Sequence, residues 1–295
     1  MNEKDIYQMQ MTYLSTWSWW HWICYDEEAD SRIILHILSC LTSGHKSVLI
    51  EIYDTDVIVI AMSYFELMSL IDGDLNMEVK FGTDILYDLK DCWAVFSKLQ
   101  LQGLRFLFAF SGSDVTASFY MKKKLSIFKL FMGLEPGCTV QQAFARLSNL
   151  SHTTIKEEDI SAVQTFVLKL YCCEASSSSL ADARCTYFKS WNTQDLNKSL
   201  RHLAPSESVL MTKILRSNLV AAHIWGNVLN YQDPDPTQYG WIIGRSTEHL
   251  VADLANKEEE LGTLVKAVTV TCSCSTKSVK NKCKFANVAI WKLLV

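Results

Sequence analysis

The segment EEADSRIILHILSCLTSGHKSVLIEIYDTDVIVIAM, residues 27–62, determines the predicted fold. After Asp30 its apolar residues recur at helical spacing, and Thr42-Ser43-Gly44 interrupts that spacing. The pattern predicts a helix from about residue 28 to about residue 41. Residues 48–53 are a β-rich apolar run with no polar face apart from Glu51. Such a run predicts a strand that is covered on both faces in a parallel sheet.

Two pairs of carboxylates flank these two elements. Glu28 and Asp30 lie in the first turn of the predicted helix, and Asp54 and Asp56 directly follow the predicted strand. Open α/β folds bind ligands at the C-terminal ends of parallel strands, so we expect the four carboxylates to converge there. Converging carboxylates repel one another and usually need a cation. Oxygen ligands without a nearby His or Cys favour Mg²⁺ or Mn²⁺.

Each pair also has a purely structural explanation. Acidic residues in the first turn of a helix interact favourably with the positive end of its dipole. An aspartate at the end of a strand is a common turn former. A metal site is favoured only because both pairs occur in one helix–strand unit.

The chain beyond this unit supplies a further carboxylate. Residues 57–70 continue the apolar run as either a helix or a second strand, which periodicity does not decide. A third element through Leu86 and Leu89 leads to the apolar run 104–110, which Ser111-Gly112-Ser113-Asp114 follows. The glycine permits a tight turn that would direct Asp114 towards the acidic cluster, although Asp114 is also a plausible turn former.

A basic run follows this turn. Lys122, Lys123 and Lys124 precede a predicted helix in which Leu125, Phe128 and either Phe131 or Met132 are buried. The lysines either bind phosphate or form the solvated start of a helix. Near the N-terminus, the aromatic cluster of residues 17–22 either stacks on bases or packs against the first helix.

The motifs EEADSRIILHIL, DTDVIVIAM, FGTD and FAFSGSDVTASFYMKKK resemble those of a large, poorly characterised invertebrate family related to flap endonucleases. The resemblance extends from about residue 26 to the C-terminus. It implies an α/β fold with a PIN-like parallel sheet flanked by helices and an α-helical extension. It also implies metal-dependent phosphodiester hydrolysis, in which two Mg²⁺ or Mn²⁺ ions activate a water and stabilise the leaving oxygen. The implied catalytic and metal-binding residues are Glu28, Asp30, Asp54, Asp56 and Asp114.

The same resemblance implies that Lys122, Lys123 and Lys124 bind nucleic acid, with DNA as the expected partner. Both glycines of the family's GKGK motif are replaced here, and no early strand ending in aspartate precedes residue 27. These departures leave an alternative open. In that alternative the chain is a catalytically inactive nuclease fold that binds nucleic acid or protein.

The resemblance divides the chain into four regions. These are a Trp-rich N-terminal segment at 1–26, a partial nuclease core at 27–132, a helical extension at 133–255 and a basic tail at 256–295. In the extension, residues 139–150, 157–171 and 208–229 read as helices. The tail resembles a cysteine-rich CXC zinc module, but a structural zinc site needs four ligands, so we do not expect zinc. Its remaining cysteines are Cys272, Cys274 and Cys283.

Composition indicates an intracellular protein without a membrane span, and we also expect a nuclear location. Hydrophobic residues make up 49% of the chain, which is ample for a buried core. Residues 1–100 carry 6 basic and 16 acidic residues, whereas residues 101–295 carry 22 and 16, so an acidic part precedes a basic one. The ten cysteines lack the dense spacing of a secreted disulfide framework. No secretory signal or bilayer-length apolar run is present.

Overall fold

The computed structural model describes residues 29–82, 85–150, 154–172, 179–189, 202–230, 234–243 and 250–252. Their backbone forms two compact units. The first unit contains the described parts of 29–109, 131–155 and 217–234, and the second contains those of 110–130, 156–216 and 235–252. The predicted core at 27–132 therefore contributes residues to both units. The Trp-rich segment 1–26, Glu28 and the tail 256–295 lie outside the described residues.

The described elements are mostly helical. In chain order, the first are α1 Ala29–Thr42, β1 Ser47–Ile52, α2 Thr55–Ile71, β2 Asn76–Phe81, β3 Ile85–Asp88, α3 Leu89–Ala94 and α4 Lys98–Ser111. They are followed by α5 Lys124–Met132, α6 Thr139–Leu147, α7 Glu157–Leu170, α8 Leu180–Lys189, α9 Glu207–Asn218, β4 Trp241–Ile243 and β5 Leu250–Ala252. The chain is thus an α/β protein rich in helix, as its sequence predicts.

The described part of the segment 27–62 folds largely as predicted. The predicted helix is α1, whose residues Ile34, Ile37, Leu38 and Leu41 are buried. The predicted strand is β1, which begins and ends one residue earlier than predicted. The undecided run 57–70 belongs to α2, which packs against α1. Since α2 buries residues on nearly every side, its sequence has no amphipathic period, and this explains why periodicity did not decide between helix and strand.

The sheet of the first unit is mixed. Strand β1 pairs with β2 in parallel, and β2 pairs with β3 in antiparallel orientation. The prediction that β1 is covered on both faces is wrong: Ile50 and Ile52 are buried, but Leu49 is 57% exposed. On that open face Lys80 forms a 2.8 Å salt bridge with Glu51, its partner in register. Alternate residues of a strand point to opposite faces, so the open face of β1 carries Leu49 and Glu51.

A cluster of three phenylalanines occupies the core of the first unit. The rings of Phe106 and Phe131 lie 5.0 Å and 5.3 Å from the ring of Phe144, and all three side chains are fully buried. A Cβ at Gly103 would stand 3.1 Å from both Phe131 and Phe144. Helix α4 therefore approaches this cluster closely at a residue without a side chain.

The second unit is built mainly from α7, α8 and α9, with the antiparallel pair β4–β5. Helices α6 and α7 match the predicted helices at 139–150 and 157–171, although α6 ends three residues early. The predicted helix at 208–229 is α9, which continues as a π-helical segment, Leu219–Ile224. Leu125 of α5 is exposed rather than buried as predicted, and Ile127 is buried in its place. Within the described part of the chain, none of the helices has the length and apolarity needed to cross a bilayer.

Candidate functional site

Asp54 lies two residues after the end of β1 and caps the N-terminus of α2. Its backbone is extended, and its Oδ1 accepts a hydrogen bond from the backbone N–H of Asp56 at 2.9 Å. This is the usual N-cap arrangement, in which an aspartate satisfies one of the unpaired amides of the first turn. The cap uses one carboxylate oxygen, and the side chain is exposed to solvent. The second oxygen is a candidate metal ligand.

Asp56 is the buried member of the pair. It lies in the first turn of α2 and is only 6% exposed. An acidic residue at this position interacts favourably with the positive end of the helix dipole. The sequence predicted that both aspartates would follow the strand, and the structure confirms this placement.

Asp30 and Asp114 lie on other parts of the chain. Asp30 lies in the first turn of α1, half-buried, so the described acidic residues of both motifs mark the starts of two helices that pack together. Asp114 is exposed and belongs to the second unit. Across the described ranges, no three or more His, Cys, Asp or Glu side chains are grouped closely enough to hold a metal ion. Glu28, Cys272, Cys274 and Cys283 lie outside those ranges.

The turn before Asp114 has the predicted tight geometry. Gly112 has a φ of +133°, a conformation that residues with a side chain rarely adopt. A Cβ at this position would also stand 3.0 Å from Ser118. The Ser113 N–H donates to the carbonyl and the hydroxyl of Thr116, each at 3.0 Å. This turn follows helix α4, which contains the apolar run 104–110.

The three lysines have different environments. Lys122 is half-buried, its Nζ donates to the Leu170 carbonyl at 2.9 Å, and the same atom lies 4.6 Å from the centroid of the Tyr171 ring. Lys123 is exposed, and Lys124 is the first residue of α5. Lys122 therefore has a structural contact within the second unit that its sequence context did not indicate, and Lys123 is the most accessible of the three to a phosphate.

A cleft in the second unit was not predicted from the sequence. Its cavity volume is about 140 Å³, and its lining includes two alanines and six larger residues. These larger residues are Tyr120, Met121, Lys122, Tyr171, Tyr187 and His202. The only local sign of this cleft was the sequence Tyr-Met-Lys at 120–122, because the other lining residues come from distant parts of the chain.

Lys213 of α9 has a strongly altered environment. Its Nζ lies 4.5 Å from the centroid of the Phe119 ring and 5.4 Å from that of Phe110, and it donates to the Ala117 carbonyl. Burial, with a smaller contribution from the charge of Arg216, lowers the pKa of Lys213 from 10.5 to about 7. The folded protein therefore favours the neutral amine above neutral pH.

Replacing Lys213 with methionine is expected to stabilise the protein most at low pH. Below about pH 7 the amine is charged in both the folded and the unfolded chain, so the wild type retains a buried charge. Between about pH 7 and about pH 10 only the unfolded chain keeps the proton, so the free energy of unfolding of the wild type rises with pH. The advantage of Lys213→Met should therefore shrink over this range, as measured by urea unfolding at several pH values.

The exposed residue Lys123 provides the control for this series. The difference in stability between Lys123→Met and the wild type should be measured over the same pH range. If the difference for Lys213→Met followed the same pH dependence as the difference for Lys123→Met, the lowered pKa of Lys213 would be refuted.

Comparison of the chain with family models, with curated proteins and with solved structures finds no significant match. The resemblance to flap-endonuclease-like proteins therefore stays a prediction from the sequence motifs.

Proposed function

We propose that this protein hydrolyses phosphodiester bonds of nucleic acid, with DNA as its substrate and Mg²⁺ or Mn²⁺ as its cofactor. The observation that carries the proposal is the position of Asp54 and Asp56 at the C-terminal end of β1, the strand that pairs in parallel with β2. This end of a parallel pair is where α/β folds build ligand sites. Asp30 lies in the first turn of the neighbouring helix α1.

The donor set of the first unit fits a hard cation. Asp30, Asp54 and Asp56 offer carboxylate oxygens, which Mg²⁺ and Mn²⁺ prefer over nitrogen or sulfur ligands. In this proposal Asp54 and Asp56 hold the metal. The ion would supply a nucleophilic water at neutral pH and would stabilise the leaving oxygen. Asp54 also holds the start of α2, so the first turn of this helix fixes the position of the ligand.

Cleavage assays test this proposal. Labelled single-stranded and branched DNA should be incubated with the purified chain in Mg²⁺, in Mn²⁺ and in EDTA. Products are expected only with a metal ion, and their yield should fall in Asp56→Asn, which keeps the size of the side chain but removes its charge. Equal cleavage by the wild type and Asp56→Asn would indicate a contaminating nuclease and would contradict the assignment.

A second candidate function is nucleic-acid binding without cleavage. It is favoured by the hydrogen bond from Asp56 to Asp54, because this cap gives the aspartate a structural role that needs no metal. DNA retention in a gel-shift assay in EDTA, together with no cleavage in Mg²⁺ or Mn²⁺, would select this candidate.

A further inference from the structure

The cleft of the second unit combines aromatic rings with positive charge. Tyr120, 42% exposed, and Tyr187, 38% exposed, present rings at the cleft. The His202 ring stands edge-on to Tyr120, with 5.0 Å between the ring centroids. Lys122 lines the cleft and supplies a positive charge. Arg184 donates a hydrogen bond to the carbonyl of Ala204, which also lines the cleft.

Charge favours an anionic ligand in this cleft. The eight described residues that line it include a lysine and a histidine, and none of them is acidic. A quaternary ammonium group would also suit a cage of tyrosines, but the ammonium of Lys122 would repel it. A ligand that joins an anionic group to an aromatic ring would complement both the positive charge and the aromatic rings of the cleft.

The size of the cavity favours a single aromatic ring. The cavity volume of about 140 Å³ is close to the roughly 150 Å³ of a cavity that accommodates benzene. A six-membered pyrimidine ring fits this volume better than a fused purine. Burial raises the pKa of Tyr171 to about 12, so its hydroxyl stays protonated at neutral pH. This hydroxyl is therefore a neutral hydrogen-bonding group, not an added negative charge.

The backbone at the edge of the cleft is strained. Met121 has a φ of +55°, which is uncommon for a residue with a side chain, and its side chain is 76% exposed. Such strain persists where the surrounding contacts enforce it, and it is concentrated at binding sites. Both neighbours of Met121 are held by such contacts. Lys122 donates a hydrogen bond to Leu170, and the ring of Tyr120 contacts that of His202.

We infer that this cleft binds a pyrimidine base of single-stranded nucleic acid, with Tyr120 and Tyr187 contacting the base and Lys122 attracting its phosphate. Stacking of bases on tyrosine is a common way to hold a single strand. A lysine contributes to affinity through charge, independent of sequence. None of the predicted metal ligands that the structure describes lines this cleft, and binding there does not require cleavage.

Binding measured in EDTA tests this inference without cleavage. The fluorescence anisotropy of labelled oligothymidylate should be compared with that of an abasic oligonucleotide of equal length, which has the same phosphates but no bases. The wild type is expected to bind oligothymidylate more tightly. Tyr120→Leu and Tyr187→Leu, which keep an apolar side chain but remove the ring, should each weaken binding by about 5- to 150-fold.

Tyr87→Leu is the matched control for these variants. Tyr87 lies on β3 in the first unit and is 43% exposed, so the same chemical change is made at a similar exposure outside the cleft. This variant should bind oligothymidylate as the wild type does. Equal binding of oligothymidylate by the wild type, Tyr120→Leu and Tyr187→Leu would overturn the inference. Equal binding of the abasic oligonucleotide and oligothymidylate by the wild type would also overturn it.

Photocrosslinking provides a second test that needs no substituted protein. Oligothymidylate that carries 5-iodouracil should crosslink to the wild-type chain at peptides that contain Tyr120 or Tyr187. Crosslinks confined to other peptides would contradict the assignment. Displacement of oligothymidylate by a trimethyllysine peptide would show that the cleft prefers a cation and would likewise contradict it.

Discussion

Asp54→Asn is expected to lower metal-dependent cleavage by about 100-fold or more without unfolding the first unit. A bound metal ion contributes several kcal/mol to the stabilisation of charge during phosphodiester hydrolysis, and loss of its ligand removes part of this, with each roughly 1.4 kcal/mol a tenfold change in rate. Asparagine caps a helix about as well as aspartate. It therefore preserves the hydrogen bond that Asp54 accepts from the backbone of Asp56 while it removes the negative charge. Cleavage rates and urea unfolding of the same preparations separate these two effects.

Two further variants serve as controls for this prediction. Asp54→Ala removes both the charge and the cap, so it should lose cleavage and also about 1 kcal/mol of stability. Asp88→Asn makes the same change at another N-cap, the last residue of β3, where Asp88 accepts from the Lys90 N–H at 2.7 Å. Asp88→Asn should cleave DNA as the wild type does. A cleavage rate in Asp54→Asn equal to that in Asp88→Asn would mean that Asp54 serves only as a cap.

Phe144→Ala should reduce the free energy of unfolding by about 3–5 kcal/mol. The side chain is fully buried, and its ring packs edge-on to Phe106 and stacks with Phe131. Removing the ring leaves a cavity that two other rigid rings line and cannot readily fill. Chemical denaturation should show a lower midpoint and, because the loss is a large share of the stability of a typical domain, partial unfolding at physiological temperature.

An alanine substitution in an exposed part of the same unit provides the comparison. Leu70, on α2, is half exposed, so Leu70→Ala should change stability by no more than about 0.5 kcal/mol. If Phe144→Ala and Leu70→Ala had similar small effects, the phenylalanine cluster would not be the core of the first unit.

Sequence predicted those parts of the fold in which local pattern and tertiary structure agree. Helix α1 is amphipathic, so the spacing of its buried residues shows in its sequence. Helix α2 is buried on nearly every side, and a helix of that kind has no period to detect. Strand β1 was assigned correctly, but its apolar run did not reveal that Leu49 faces solvent. The number of layers that cover a sheet depends on the whole fold.

The candidate sites also differ in how far local sequence predicts them. The position of Asp54 and Asp56 after a strand follows from residues next to them in sequence, so it was predictable. The contact of Lys122 with Leu170 joins residues 48 positions apart, and no local pattern reveals it. The cleft likewise depends on Tyr120, Tyr187 and His202 meeting through the packing of the second unit. A site assembled from distant residues without a shared motif is visible only in three dimensions.

Binding of Mn²⁺ tests the central claim most directly, because it measures the carboxylates without requiring cleavage. The electron paramagnetic resonance signal of free Mn²⁺ should be measured in four separate titrations, with the wild type, Asp54→Asn, Asp56→Asn and Asp88→Asn. We expect the wild type and Asp88→Asn to remove Mn²⁺ from solution, and both Asp54→Asn and Asp56→Asn to bind it at least about tenfold more weakly. Equal Mn²⁺ binding by all four proteins, or none by the wild type, would contradict the account.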